Sequence, residues 1–417
     1  MQTGIDEHLL PPHTRGEAET ALRKCVHCGF CNATCPTYQL TGNELDGPRG
    51  RIYLIKEVLE GTTPTELTQR HLDRCLTCTA CESTCPSGVP YHTLLGIGRE
   101  QVDAQVSRPM RRGMSRKLIR GIASRTWLFR TALWLGRRLR TALPAALRTT
   151  LPTPGKRLAP LPQAPTSSAP TDSTTSVLLP GCVHPVLAPA THEAAARVLV
   201  RLGTKVVSGD RVGCCGALHH HFGDTRGARR RVERNVDQLI RLMDEKGVTR
   251  IITTASGCGA FMRDYPALLA DPHTGEVPVD AQRVAGALRD IAEVLDPQEL
   301  ARRTSPGATD GTSQQLHCPC TLEHGLHLSG TVRELLQAVG LEARADPHPG
   351  ACCGSAGAWS VLEPQMAHSL GERRAQQLDA DDPDVILTAN VGCQQHLSRH
   401  TGTPVRHWIE EVEARTR

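Results

Sequence analysis

The segment CVHCGFCNATCP, Cys25 to Pro36, is answered fifty residues later by CLTCTACESTCP, Cys75 to Pro86. Both have the form C-x2-C-x2-C-x3-C-P. A zinc site closes on four ligands, commonly two C-x2-C pairs. Here each run carries four cysteines and ends in Cys-Pro, the spacing of bacterial two-cluster ferredoxins. Three cysteines at C-x2-C-x2-C wrap one cluster, while the fourth, set three residues further on before a proline, points away to the other. The spacing therefore predicts two [4Fe–4S] clusters with exchanged ligands. Cluster 1 takes Cys25, Cys28, Cys31 and Cys85; cluster 2 takes Cys75, Cys78, Cys81 and Cys35. Neither run closes a cluster by itself.

Seventeen cysteines in 417 residues raise the competing reading of a secreted disulfide framework. The N-terminus, MQTGIDEHLLPPHTR, lacks the basic start and apolar stretch of a signal peptide. The chain is also far longer than disulfide-stapled modules, and its cysteines lie in tight runs that suit metal better than bridges. The expectation is a reducing, cytoplasmic setting. No stretch of eighteen apolar residues is present, so no membrane-spanning helix is predicted.

The chain divides by composition. Residues 1–100 hold the two runs and form the predicted two-cluster domain. Between the runs, Ile52, Ile55, Val58 and Leu59 share one helical face. NELDGPRGR, Asn43 to Arg51, reads as a turn and helix start. Its Arg49 and Arg51 are either part of a solvated turn or an offset to the negative charge of thiolate-ligated clusters. Residues 101–148 form a basic helical segment: Arg108 to Arg148 contains twelve Arg or Lys and no Asp or Glu. The overall charge of +5 thus conceals a net acidic remainder. RTWLFRTALWLGRRLRTAL has the apolar and cationic spacing of an interfacial helix, and equally that of a helix packed on a neighbouring domain or subunit. Nucleic acid is not expected as a partner, because no recognised binding motif accompanies these cations. Residues 149–176 contain six prolines among many Ser and Thr and are read as a linker.

The remainder is a duplication, drawn as repeats at 177–300 and 301–417. The first copy has LLPGC ending at Cys182, VGCCGA with Cys214 and Cys215, and TTASGCGA with Cys258. The second has LHCPC ending at Cys320, GACCGSAG with Cys352 and Cys353, and LTANVGCQ with Cys393. The offsets are 138, 138 and 135 residues. Short β-branched runs, SVLLP and TRIITT, alternate with helical stretches, which predicts a duplicated α/β fold with parallel sheets. Cys182, Cys258, Cys320 and Cys393 then fall just past strand C-termini, where such sheets build sites. Adjacent cysteines between glycines let the backbone approach a ligand closely. Small buried hydrophobes in tight turns would look the same. The eight paired cysteines are therefore carried forward as a candidate further redox site. Cys318 has no counterpart.

With these motifs in place, the whole chain resembles the iron–sulfur subunits of bacterial glycolate oxidase (glycolate dehydrogenase). HLDRCLTC, ELDGPRGRIYLIK, TASGCGAF and HCPCTLEH carry the similarity in order. More broadly it resembles proteins with the CCG domain: anaerobic glycerol-3-phosphate dehydrogenase, lactate-utilisation and heterodisulfide reductase subunits. The resemblance implies an electron-transfer subunit with no catalytic residue of its own. FAD-containing partner subunits would oxidise glycolate to glyoxylate, and electrons would leave to a quinone-type acceptor, with docking on the cytoplasmic membrane face. The chain itself shows no G-x-G-x-x-G fingerprint for flavin or nicotinamide. Relatives acting on D-lactate or glycerol-3-phosphate leave the substrate open. The wider family ends each CCG motif in C-x-x-C. Here Ala255 and Asn390 replace the first of those cysteines, which argues against a heterodisulfide-reductase-like catalytic role.

Overall fold

The computed structural model describes residues 1–139, 141, 174–304 and 311–416. Most of the linker proposed at 149–176 lies outside them. The N-terminal region is helical, framed by Pro12–Lys24, Pro48–Leu59, Glu66–Asp73 and Tyr91–Gln105. Ile52, Ile55, Val58 and Leu59 are buried along one face and meet Leu22, Leu72, Leu94 and Leu95. Each such side chain contributes about 1.5–3 kcal/mol of burial. The second and fourth of these helices approach closely at Gly98, where an added Cβ would lie 2.5 Å from Ile55 Cγ1. The start of Pro48–Leu59 follows from its sequence: Pro48 occupies the first turn, where its missing N–H costs nothing.

The duplicated part contains two parallel sheets, as the alternation of strands and helices predicts. Strands β1 (Thr175–Leu178), β2 (Lys205–Ser208), β3 (Arg250–Thr253) and β4 (Leu288–Asp290) lie in the order β2-β1-β3-β4. Strands β5 (Gln314–Leu316), β6 (Val385–Thr388) and β7 (Val405–His407) form the second sheet in that order. The position of β2 is reduced there to a single parallel bridge, Gln315 to Arg344. KVVS in the first copy is matched by ARAD in the second, which lacks the β-branched residues that favour a pleated surface. The first copy ends in an Asp290–Glu293 capping box, and His407 caps the last helix of the second.

The two copies share one core. Leu178, Val198, Leu199 and Ile252 of the first pack with Leu316, Val332, Leu336, Trp408 and Ile409 of the second. The N-terminal region rests on this body. Ser83 Oγ lies 3.0 Å from His324 Nδ1, and Arg373 donates to Gln39 Oε1 at 3.0 Å. The basic segment forms two helices, Met110–Ala123 and Thr126–Arg138. Their inner faces are anchored: Arg116 pairs with Asp73 at 2.9 Å, and Leu133 packs with Val186, Leu187 and Val391. Their outer faces expose Met110, Met114, Leu118, Trp127 and Trp134. No described helix is long and apolar enough to cross a membrane.

Candidate metal centres

The two cysteine runs adopt the same backbone path. His27 and Gly29 in the first, and Thr77 and Thr79 in the second, all have positive φ. Three of the four are not glycine, and backbone in that region is costly for a side-chain-bearing residue and characteristic of functional loops. Each run then closes into a one-turn helix, Phe30–Ala33 or Ala80–Ser83. The result is two adjoining hollows. Cys25, Cys28, Cys31 and Cys85 line the first. Cys35, Cys75, Cys78 and Cys81 line the second. Cys81 and Tyr91 border both. In each hollow the last cysteine of one run lies with three of the other, and Cys81 reaches the first hollow as well.

The donor set suits a polynuclear cluster. A zinc tetrahedron draws four sulfurs to about 2.3 Å from one atom. Among the described residues no three His, Cys, Asp or Glu side chains converge on a single ion; the thiols instead surround a space. Burial, aided by neighbouring thiolates, pushes Cys31 up to about 11 and raises Cys78 and Cys81 well above the usual range. Thiols crowded in this way ionise when a bound metal stabilises the thiolates, and their protons are then released to solvent. Only Cys28 of the eight is exposed, flanked by exposed Val26 and Phe30.

The eight paired cysteines of the duplicated part also gather, four per copy. In the first, the Cys182 and Cys215 thiols hydrogen-bond to Cys214 and hold its pKa well below normal. The Cys215 and Cys258 sulfurs lie 3.5 Å apart. In the second, the Cys320 thiol lowers the pKa of Cys352, assisted by the Gly354 N–H and Arg374. Cys393 lies beside Cys353 and is raised. The lowered thiols, Cys214 and Cys352, occupy equivalent positions of the duplication. Cys318 stands apart in the shared core, its thiol pushed up to about 12 by burial.

Several supporting residues escape sequence reasoning. Asn235 donates to the Cys214 carbonyl at 2.9 Å and to the Tyr265 hydroxyl at 3.2 Å. Tyr265 in turn donates to the Cys215 carbonyl at 2.8 Å. The available signal is a lone amide on the apolar Val232–Val236–Leu239 face. In the second copy Asp346 and Arg374 form a fully buried ion pair, and Asp346 also accepts from the Cys318 N–H at 2.6 Å. The replaced cysteine positions have structural work. Asn390 Oδ1 accepts from the Gly392 N–H at 3.0 Å, capping the helix that carries Cys393. Ala255 is buried at the corresponding helix start.

The second hollow and the second copy touch. Cys78 and Cys320 pack against a buried cluster of Leu76, Cys352, Trp359 and Leu370. The first copy meets the basic helices instead: Thr126 donates to the Cys182 carbonyl at 2.9 Å, and Arg231 donates to Ser124 Oγ at 3.2 Å.

Comparison with known proteins agrees with this architecture. Residues 21–89 match the 4Fe-4S dicluster domain, and residues 177–263 and 315–398 match the cysteine-rich (CCG) domain. The chain is 42% identical to the glycolate oxidase iron-sulfur subunit of Escherichia coli over 99% of its own length and 98% of the relative's. It is 31% identical to a probable glycolate oxidase iron-sulfur subunit of Bacillus subtilis, over 90% and 88%. It is 24% identical to a CoB–CoM heterodisulfide reductase component of Methanosarcina barkeri, again over 90% and 88%. Iron–sulfur binding and a place in an oxidoreductase complex follow, and the chain belongs to the family of glycolate oxidase iron–sulfur subunits.

Proposed function

We propose that this chain is the electron-transferring subunit of a flavin-dependent complex that oxidises glycolate to glyoxylate. In this reading Cys25, Cys28, Cys31 and Cys85 hold one [4Fe–4S] cluster, and Cys75, Cys78, Cys81 and Cys35 hold the other. The observation that carries it is the arrival of Cys85 in the first hollow and of Cys35 in the second. Clusters so bound supply one-electron transfer, the chemistry needed to drain a two-electron flavin. The protein's own contribution is to place and shield them. Tyr91 is buried between the hollows, and the Phe30–Ala33 and Ala80–Ser83 turns keep the cysteines in register. Exposed Cys28 makes the first hollow the face for exchange with an FAD-bearing partner subunit.

The four cysteines of the second copy are the third redox site. Their support is the packing of Cys78 against the cluster that contains Cys352. The reducing setting is the cytoplasm, with the complex resting on the inner face of the membrane near a quinone acceptor. The exposed Trp127 and Trp134 lie seven residues apart on one helical face, away from buried Leu133. Arg138 sits over the Trp134 ring at 5.1 Å. Tryptophan and arginine outward, with no acidic residue between Arg108 and Arg148, is the composition of a surface that lies on anionic lipid.

The test is anaerobic purification with the accompanying flavoprotein, followed by a panel of 2-hydroxy acids. Glycolate should reduce the iron–sulfur signals of this chain only when the partner is present. Reduction by D-lactate or glycerol 3-phosphate in preference to glycolate would overturn the substrate assignment.

A further inference from the structure

Arg49 and Arg51 stand two residues apart on the helix Pro48–Leu59, so their side chains leave it on different sides. Arg49 borders the first hollow. Its charge is already matched: Nε donates to Glu44 Oε1 at 2.6 Å, and 35% of the side chain is exposed. Arg51 borders the second hollow and is 1% exposed. Its Nε donates to the His71 carbonyl at 2.8 Å and its Nη2 to Thr37 Oγ1 at 3.1 Å.

Among the described residues no carboxylate makes a direct ion pair with Arg51; Asp46 attracts it only through space. Asp46 is engaged at Oδ1 by His71 Nδ1 (2.8 Å) and at Oδ2 by Arg74 Nη1 (2.7 Å). A guanidinium stays charged at any working pH, and a buried charge without a counter-ion is strongly unfavourable. What faces Arg51 is the thiol set of the second hollow. Thr37, which accepts from it, has its hydroxyl 3.2 Å from Cys35 Sγ. A centre ligated by four thiolates is anionic, and each electron it takes makes it more so. A fixed buried cation therefore favours its reduced form, and low dielectric makes that influence larger than a solvated cation could exert.

We infer that Arg51 is the built-in counter-charge of the second iron–sulfur centre and sets that centre's reduction potential, while the neutralised Arg49 leaves the first nearly unaltered. This rests on the two-centre reading above. Arg51 acts through its charge on the centre and is a tuning residue for a one-electron step in which the partner flavoprotein, or dithionite in the test, is oxidised as the centre is reduced.

The experiment is an anaerobic dithionite titration of the full chain, followed by paramagnetic resonance, with iron determined in every sample. Arg51→Gln should lower the midpoint of one centre by more than 59 mV, more than tenfold in its one-electron equilibrium, and leave the other unmoved. The centre that moves should be the one whose signal Cys78→Ser alters. Arg51→Lys should recover most of the shift, and Arg49→Gln should move neither centre that far. Unchanged midpoints in iron-replete Arg51→Gln would overturn the inference, as would equal shifts in the Gln and Lys variants, which would point to hydrogen bonding instead of charge. If Arg51→Gln fails to hold iron, Arg51→Lys decides: full iron and a parent-like midpoint support the charge role, and loss in both overturns it. A parent without two four-iron centres would sink the two-centre reading itself. A parent with both centres and unresponsive potentials would sink this inference alone.

Discussion

Cys78, in the middle of the second cysteine run, and Cys352, in the CCG pair of the second repeat, meet at one buried apolar cluster. The contact joins the two cysteine-bearing parts of the chain through apolar packing. Its consequence is a count. Two ferredoxin-type centres contribute roughly eight irons per chain, and a third raises the figure to roughly twelve. Anaerobically prepared parent should give about twelve, and a variant carrying Cys352→Ser and Cys393→Ser about eight. A parent value near eight would leave these cysteines structural.

Exchange of the fourth ligand makes a second prediction. Cys85 belongs to the second run in sequence and to the first hollow in space. Cys85→Ser should therefore disturb the centre built on Cys25, Cys28 and Cys31 and spare the other. Resonance spectra of the reduced variant, compared with those of Cys28→Ser, check this. Coincidence with the Cys78→Ser spectrum instead would show that each run closes its own centre.

The outer face of the basic helices should bind anionic vesicles. Arg111, Lys117 and Arg130 are exposed there, and each basic residue near such a surface contributes about 1 kcal/mol. Changing all three to Gln should weaken partitioning on the order of a hundredfold. Flotation with vesicles rich in anionic lipid, repeated at rising salt, measures it. Equal flotation of parent and variant would assign this face to a protein neighbour.

Acid should destabilise the duplicated part. Burial holds His184 at about 4, and His317 and His407 at about 3. Folded, these imidazoles stay neutral; unfolded, they take a proton near pH 6.5. Their contribution is thus complete above about pH 7 and is lost as pH falls below 6.5. Buried Asp290, raised to about 7, acts in the opposite sense, since only its unfolded form ionises between pH 4 and 7. His220 and His396, at about 4, and His221, at about 3, act in the same sense as the first three, so six imidazoles stand against Asp290 and the net effect is a loss of stability as pH falls from 6.5 towards 5. Thermal midpoints across pH 8 to 5 should be flat and then fall; a rise on acidification would contradict the assignment.

Much of this was legible in the sequence because the cysteine spacing and the strand-and-helix periodicities are local signals. The face Ile52, Ile55, Val58 and Leu59 and the parallel sheets needed nothing more. What depends on long-range packing was not legible. Arg49 and Arg51 look alike in ELDGPRGR, yet helix rotation leaves one partly exposed and buries the other. Asn390 reads as a missing ligand, and its capping bond is visible only once the helix start is placed. The duplication is visible in the sequence, but not that Trp408 and Val198, one from each repeat, share a core.

The way the last cysteine of each run faces the hollow of the other bears on how the chain is made. Cys25, Cys28 and Cys31 leave the ribosome well before Cys85 does, so the first hollow lacks one wall until the second run has been synthesised and the helix Pro48–Leu59 has docked. Cys35 must meanwhile wait for Cys75, Cys78 and Cys81. With the ligand sets proposed above, filling is tied to completion of the fold around both hollows, and a truncated product ending between the runs would carry four cysteines and only one wall of each hollow.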